Sequence, residues 1–177
     1  AGPDRPELLV VTGSACYLYS KEAIHTLNLE DRVGLLKLGT TWPLPEGLVR
    51  RHLATTEKVL IVEEPQDFME ENIKILAAEA AVEVGFKTFF GKKSGHLPTS
   101  GELNPDLIVT AVKGILGVQY EPVPQDYAAT AFSSMFKSPG RELTFCPGCP
   151  HRDSFLSLPN ALILDGREGF VCGDVGC

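Results

Sequence analysis

Residues 7–12, Glu-Leu-Leu-Val-Val-Thr, form a short apolar run that stops at Gly13-Ser14-Ala15, the pattern of a buried strand feeding a turn. Ala23, Ile24 and Leu27 then mark the inner side of a helix, with Ser20 as its expected N-cap. Val33 to Leu38 is a second apolar strand. After the turn Gly39-Thr-Thr-Trp-Pro-Leu-Pro45, a helix carrying Leu48, Val49 and Leu53 leads to a third strand, Lys58 to Val62. Met69, Ile73, Leu76, Ala80 and Val84 recur at four- and three-residue steps, so the spacing predicts the longest helix over about 66–84. A further short strand is expected over 86–90. Asn104-Pro105-Asp106 supplies an N-cap, a proline at the first helical position and an acidic first turn. The helix it opens carries Ile108, Ala111, Val112 and Ile115 and should end near Gly117.

Continuous apolar strands separated by amphipathic helices imply a mostly parallel sheet covered on both faces. The expected class is α/β, a three-layer α/β/α arrangement over residues 1–118. From 119 to 140 the texture changes to three prolines and several small residues with no sustained period, which reads as a linker, 119–143. Residues 144–177 begin something new, with an expected strand over 161–164 between two cysteine pairs. A chain whose last residue is itself a candidate ligand, Cys177, reads as a piece of a longer protein.

Charge narrows the partners. The formal net charge of −7 argues against nucleic acid. Acidity is concentrated in residues 57–83, where Glu57, Glu63, Glu64, Asp67, Glu70, Glu71, Glu79 and Glu83 face only Lys58 and Lys74; such a run usually solvates a helix face. The apolar runs are too short to cross a bilayer, and the N-terminal Ala-Gly-Pro-Asp lacks the basic start and apolar core of a secretory signal. Four of the five cysteines crowd into the last stretch, where they cannot staple the other 140 or so residues. An intracellular, cytoplasmic chain with a metal or cluster site fits this usage better than a disulfide scaffold.

Cys146-Pro-Gly-Cys149 places two sulfurs on one tight turn, and Cys172 and Cys177 follow. Spacing leaves three readings open. A structural zinc site would take all four thiolates. An iron–sulfur cluster would take Cys146, Cys149 and Cys177, with Cys172 or a residue elsewhere as fourth ligand. The third reading is reduced, buried thiols, cysteine being a small hydrophobe. His151 and Arg152 follow the turn directly and are candidates to meet an anionic substrate or relay a proton, or simply to cap local backbone. Elsewhere, Gly13-Ser14 has the strand-to-turn context of a phosphate loop without its full glycine pattern, and Glu63-Glu64 closes the third strand at the edge where α/β sheets place ligands. Gly91-Lys-Lys-Ser-Gly-His96 resembles a P-loop in letters only, and the lone Cys16 reads as core.

Phe145-Cys-Pro-Gly-Cys-Pro-His-Arg152, with Gly173-Asp-Val-Gly-Cys177, resembles the opening of the thiamine-diphosphate domain in the large (alpha) subunit of indolepyruvate ferredoxin oxidoreductases. Gly13-Ser-Ala-Cys-Tyr17, Leu38-Gly-Thr-Thr-Trp-Pro-Leu-Pro-Glu46, Val59-Leu-Ile-Val-Glu-Glu64 and Gly101-Glu-Leu-Asn-Pro-Asp106 resemble that subunit's transketolase-C-terminal-like domain, in the correct order. The resemblance implies a middle fragment of an enzyme that oxidatively decarboxylates aryl 2-oxo acids to acyl-CoA with ferredoxin as acceptor. The parent would use thiamine diphosphate with magnesium and a 4Fe-4S cluster, and would partner a second (beta) subunit. It also implies Cys146, Cys149 and Cys177 as cluster ligands with the fourth outside this chain, and Gly173 and Asp174 near the thiamine diphosphate. The Pro150-His151 version of the motif departs from the Gly-His or Gly-Asn of related oxidoreductases. The fragment alone is expected to be inactive. From a different class, the alternative is a non-enzymatic α/β docking module with a zinc-binding cysteine tail; a third is an α/β domain that binds a nucleotide for CoA-related chemistry. Homodimerisation stays open.

Overall fold

The apolar runs become strands β1 (Leu8–Gly13), β2 (Val33–Leu38) and β3 (Lys58–Val62), and a three-residue β4 (Thr88–Phe90) completes the sheet. All pairings are parallel, in the order β2-β1-β3-β4. This computed structural model describes residues 1–121, 123–137, 145–166 and 168–172. It divides into two units, Ala1–Pro122 and Val123–Cys177.

In the first unit β1 lies between β2 and β3, and all six of its residues are buried. Alternation sorts the strand side chains onto two faces. Leu8, Val10, Leu60 and Val62 pack with α1 (Cys16–Thr26) and α5 (Pro105–Leu116). Leu9, Val11, Val59 and Ile61 pack with α2 (Glu46–Leu53), α3 (Phe68–Glu79) and α4 (Ala81–Val84). A strand apolar on both sides is stable only between two helix layers, and each buried Val, Leu or Ile contributes about 1.5–3 kcal/mol of transfer free energy. The unit is a three-layer α/β/α fold, as the pattern implied.

Several local expectations are corrected. Ser20 is no N-cap: α1 starts at Cys16, straight after the Ser14-Ala15 turn, and the buried Ser20 Oγ donates to the Cys16 carbonyl one turn back at 2.7 Å. The helix expected over 66–84 is two helices, because Ala80 leaves helical geometry (φ −96°, ψ 17°) between α3 and α4. Nothing in the run Ala77-Ala78-Glu79-Ala80-Ala81 signals that break. Helix α5 matches its expected frame: the Asn104 side chain accepts from the Leu107 amide at 3.0 Å, Pro105 opens the helix, and Gly117 closes it at φ 67°.

The second unit contains α6 (Gln125–Met135) and α7 (Pro150–Asp165). Helix α6 falls inside the segment read as a linker, where Pro124 precedes it and Asp126 stands in its first turn. The strand expected over 161–164 is instead the end of α7: a four-residue apolar run does not choose between helix and strand, and Pro150 had already opened a helix that runs through it. At 16 residues α7, not the 66–84 segment, is the longest helix among the described residues. None of those helices is long and apolar enough to cross a membrane.

Candidate functional site

The strand order puts a crevice at the carboxyl edge of the sheet. β1 and β3 are neighbours, but α1 leaves β1 toward one face and α3 leaves β3 toward the other. Such a switch point is where open α/β sheets place ligands. Here it is a cleft of about 310 Å³ lined by Gly13, Ser14, Cys16, Thr41, Glu63, Glu64, Phe68 and Met69. Trp42, largely exposed, stands edge-on to Phe68 beside it, with ring centroids 5.9 Å apart.

The position an anion would take at the start of α3 is filled from within. The Glu63 carboxylate accepts hydrogen bonds from the Met69 amide at 2.6 Å and the Glu70 amide at 2.8 Å. Amides at a helix N-terminus are the usual anchors of bound phosphate, and a buried carboxylate now satisfies both. Burial pushes the Glu63 pKa up from 4.5, although the two backbone hydrogen bonds pull it back. Glu64 accepts from the Leu103 amide and so ties the strand edge to the segment before α5. The paired carboxylates singled out in the sequence therefore hold the fold. Burial, and next the charge of Glu64, push the Cys16 thiol up to about 11, so it stays protonated as a core residue.

The loop Gly91–His96 is organised in the same way. Its Lys92 and Lys93 amides point at the fully buried carboxylate of Glu70, at 2.9 and 3.3 Å, and Lys74 Nζ reaches the other Glu70 oxygen. Consecutive amides of this kind form an anion-binding concavity, and α3 supplies the anion. Gly91 is required there: a Cβ at this position would lie 2.5 Å from Glu70 Oε2. The buried Lys92 donates through Nζ to the Pro98 carbonyl at 3.1 Å, while Lys93 pairs with Glu71 and lies 3.4 Å from Asp67. Glu70 is the residue that the sequence reading missed by counting it with a solvated acidic face. Its signal was available, since Glu70, Ile73 and Ala77 share one helix stripe at three- and four-residue steps.

In the second unit, Cys146-Pro-Gly-Cys149 is a tight turn. The Cys149 amide donates to the Cys146 carbonyl at 3.0 Å, and Gly148 takes φ 74°. Helix α7 follows at once, with the Arg152 amide donating to the Cys149 carbonyl at 3.2 Å. His151 and Arg152 are exposed on its first turn. Cys146 and Cys172 are exposed, Cys149 is half-buried, and all three thiols are free. The described residues bring no group of three His, Cys, Asp or Glu side chains into a metal-holding arrangement. The turn thus presents two thiols of a donor set that needs four, and no metal-dependent step follows from it. Gly173, Asp174 and Cys177 lie outside the described residues.

No protein-family model matches the chain. Curated proteins do. The indolepyruvate oxidoreductase subunit IorA of Methanothermobacter marburgensis is 32% identical over 174 residues, covering 97% of this chain and 26% of that protein. Its counterpart in Methanothermobacter thermautotrophicus is 33% identical over 179 residues, 99% of this chain and 27% of that protein. The Archaeoglobus fulgidus subunit is 29% identical over 168 residues, 95% and 25% respectively. This chain therefore spans about a quarter of the length of the relatives it matches. By sequence it corresponds to a stretch of about a quarter of the indolepyruvate oxidoreductase IorA subunits.

Proposed function

We propose that this chain is a structural portion of an oxidoreductase subunit that oxidatively decarboxylates aryl 2-oxo acids, indolepyruvate among them, to acyl-CoA and delivers the electrons to ferredoxin. The observation that carries this is the match along 97–99% of the chain to proteins named indolepyruvate oxidoreductase subunit IorA. A scaffolding role for the first unit is supported by its sheet edge, where Glu63 and Glu64 are engaged by backbone amides. On this reading residues 1–118 form a transketolase-C-terminal-like domain, 119–143 connect it, and 144–177 begin a thiamine-diphosphate domain. Thiamine diphosphate with magnesium supplies the carbanion chemistry in the whole enzyme. Gly173 and Asp174 would lie near it, and His151 and Arg152 are the candidates for contact with an anionic group. Cys146, Cys149 and Cys177 are the candidate ligands of an electron-carrying cluster, completed by Cys172 or by a residue outside the chain.

The test is an anaerobic dye-reduction assay with indolepyruvate, thiamine diphosphate, magnesium and CoA. The isolated 177-residue chain should give no 2-oxoacid-dependent reduction, whereas a full-length IorA subunit carrying this segment, assembled with its partner subunit, should reduce the dye only when CoA is present. Activity in the isolated chain, or an assembled enzyme indifferent to aryl 2-oxo acids, would overturn the proposal. A docking module with a zinc-holding tail is the second reading, favoured by the exposed Phe132, Met135 and Phe136 of the second unit. Metal analysis after anaerobic purification separates the two: stoichiometric zinc without iron supports docking, and iron with acid-labile sulfide supports electron transfer.

A further inference from the structure

We propose that Cys146 and Cys149 are a redox-active dithiol that closes reversibly to an intramolecular disulfide across the Cys-Pro-Gly-Cys turn, with a low-molecular-weight disulfide as the oxidant. This goes beyond the proposed function and does not rest on it. The turn supplies the geometry. A hydrogen bond from the Cys149 amide to the Cys146 carbonyl, with Gly148 in the left-handed region after Pro147, is the arrangement of a type II turn. It brings the first and fourth Cα atoms within about 7 Å, the upper limit of the separation that a disulfide spans. Pro147 inside the turn and Pro150 just after it restrict the backbone before any bond forms, so little freedom is left to lose on closure.

Both sulfurs are available for that closure. Cys146 and Cys149 are free thiols, and Cys149, although it stands at the N-cap of α7, makes no side-chain capping hydrogen bond there. The rings of Phe145 and Phe155, 5.6 Å apart, fasten the residue before the turn to the second turn of α7. The described residues bring no third metal ligand to the pair. Exposure assigns the order of events. The exposed Cys146, as thiolate, attacks one sulfur of the small disulfide; an S–S bond forms to the protein and one small thiolate leaves. The half-buried Cys149 then attacks the Cys146 sulfur, the Cys146–Cys149 bond forms, and the second small thiolate leaves. The two protons from the protein thiols end on the two released thiols; the protein is oxidised by two electrons and the disulfide reduced by two. A closed pair offers no thiolate to a metal, so closure and metal binding exclude one another.

The test uses the whole chain, reduced and stripped of metal by a chelator, then equilibrated with glutathione and glutathione disulfide at increasing oxidant. Free thiols are alkylated in denaturant, so that the buried Cys16 also reacts, and the products are mapped by peptide mass. Alkylatable thiols should fall from the five in the sequence to three. A Cys146–Cys149 peptide lighter by two hydrogens should appear, and excess reduced glutathione should restore all five. Cys149→Ser should stop at a glutathione adduct on Cys146. Crosslinks that join either residue to Cys172 or Cys177 instead, or a Cys146 and Cys149 still fully alkylated at the highest glutathione disulfide, would overturn the proposal. The wild-type map decides the matter even if a variant fails to fold, and neither result bears on the 2-oxoacid assay.

Discussion

Helices α5 and α7 carry the same punctuation. Each has a proline in its first turn and ends on a glycine in the left-handed region, Gly117 at φ 67° and Gly166 at φ 66°. Between those ends they differ. Helix α5 buries Ile108, Val109, Ala111 and Val112 against the sheet, whereas α7 has no buried residue and keeps Pro159 in its interior, where an amide hydrogen bond is lost. The ends of a helix are written locally by residues that satisfy or omit terminal hydrogen bonds. Its stability comes mostly from the apolar face it covers, which is a property of everything around it. The same contrast holds between the units: the first has a core on each side of its sheet, and no described residue of the second is buried.

The contrast can be broken most directly by truncation. Ile108→Ala should cost about 2–5 kcal/mol in urea unfolding of the first unit, since Ile108 is fully buried. Ile163→Ala in α7, 76% exposed, should stay within about 0.5 kcal/mol. Equal costs would mean that α7 buries its apolar side chains in solution. Next in size is Gly91→Ala, for which the added Cβ meets Glu70 Oε2 at 2.5 Å and the Ile61 carbonyl at 3.3 Å; a loss of about 1–3 kcal/mol is expected by the same measurement. Retained stability would show that the Glu70-centred loop gives way easily.

Caps sharpen the comparison further. Asn104→Ala removes the hydrogen bond to the Leu107 amide and should cost about 1 kcal/mol, whereas Cys149→Ser supplies α7 with a capping side chain that it lacks and should raise the helicity seen by circular dichroism. The smallest effect concerns Glu63. Its folded pKa lies above 4.5, so its contribution to stability is complete below pH 4.5 and is lost as pH rises through the folded value. Unfolding midpoints of wild type and Glu63→Gln, followed upward from pH 4.5, should converge as the wild type loses this contribution. Parallel curves would place the Glu63 pKa at its ordinary value.

Glu63 and Glu70 show where reading the chain stops. Glu63-Glu64 was correctly placed at the carboxyl edge of the third strand, because an apolar run ends where charge begins. That both carboxylates would be engaged by backbone amides was not legible, since Met69, Glu70 and Leu103 come alongside only when α3 and the segment before α5 are packed. Glu70 looked like one more member of an acidic run, yet it is the buried centre of the loop that starts at Gly91. Its burial could be read from the stripe it shares with Ile73 and Ala77, but its loop partners, the Lys92 and Lys93 amides, are more than twenty residues away in sequence. The Cys146–Cys149 turn was legible because its geometry is confined to four residues, two of them Pro and Gly.

The sequence by itself determined the three long strands, the class of sheet they form and the frame of α5, because each rests on periodicity or on capping within one turn of the chain. It also determined kinship, through segments spread along its whole length. Only the tertiary structure decided that Ser20 lies inside a helix, that 161–164 is helical, and that internal carboxylates fill both of the amide concavities described here. The physical reason is one of range. A short apolar run or a single polar residue has several local conformations of similar energy, and burial against distant neighbours selects among them.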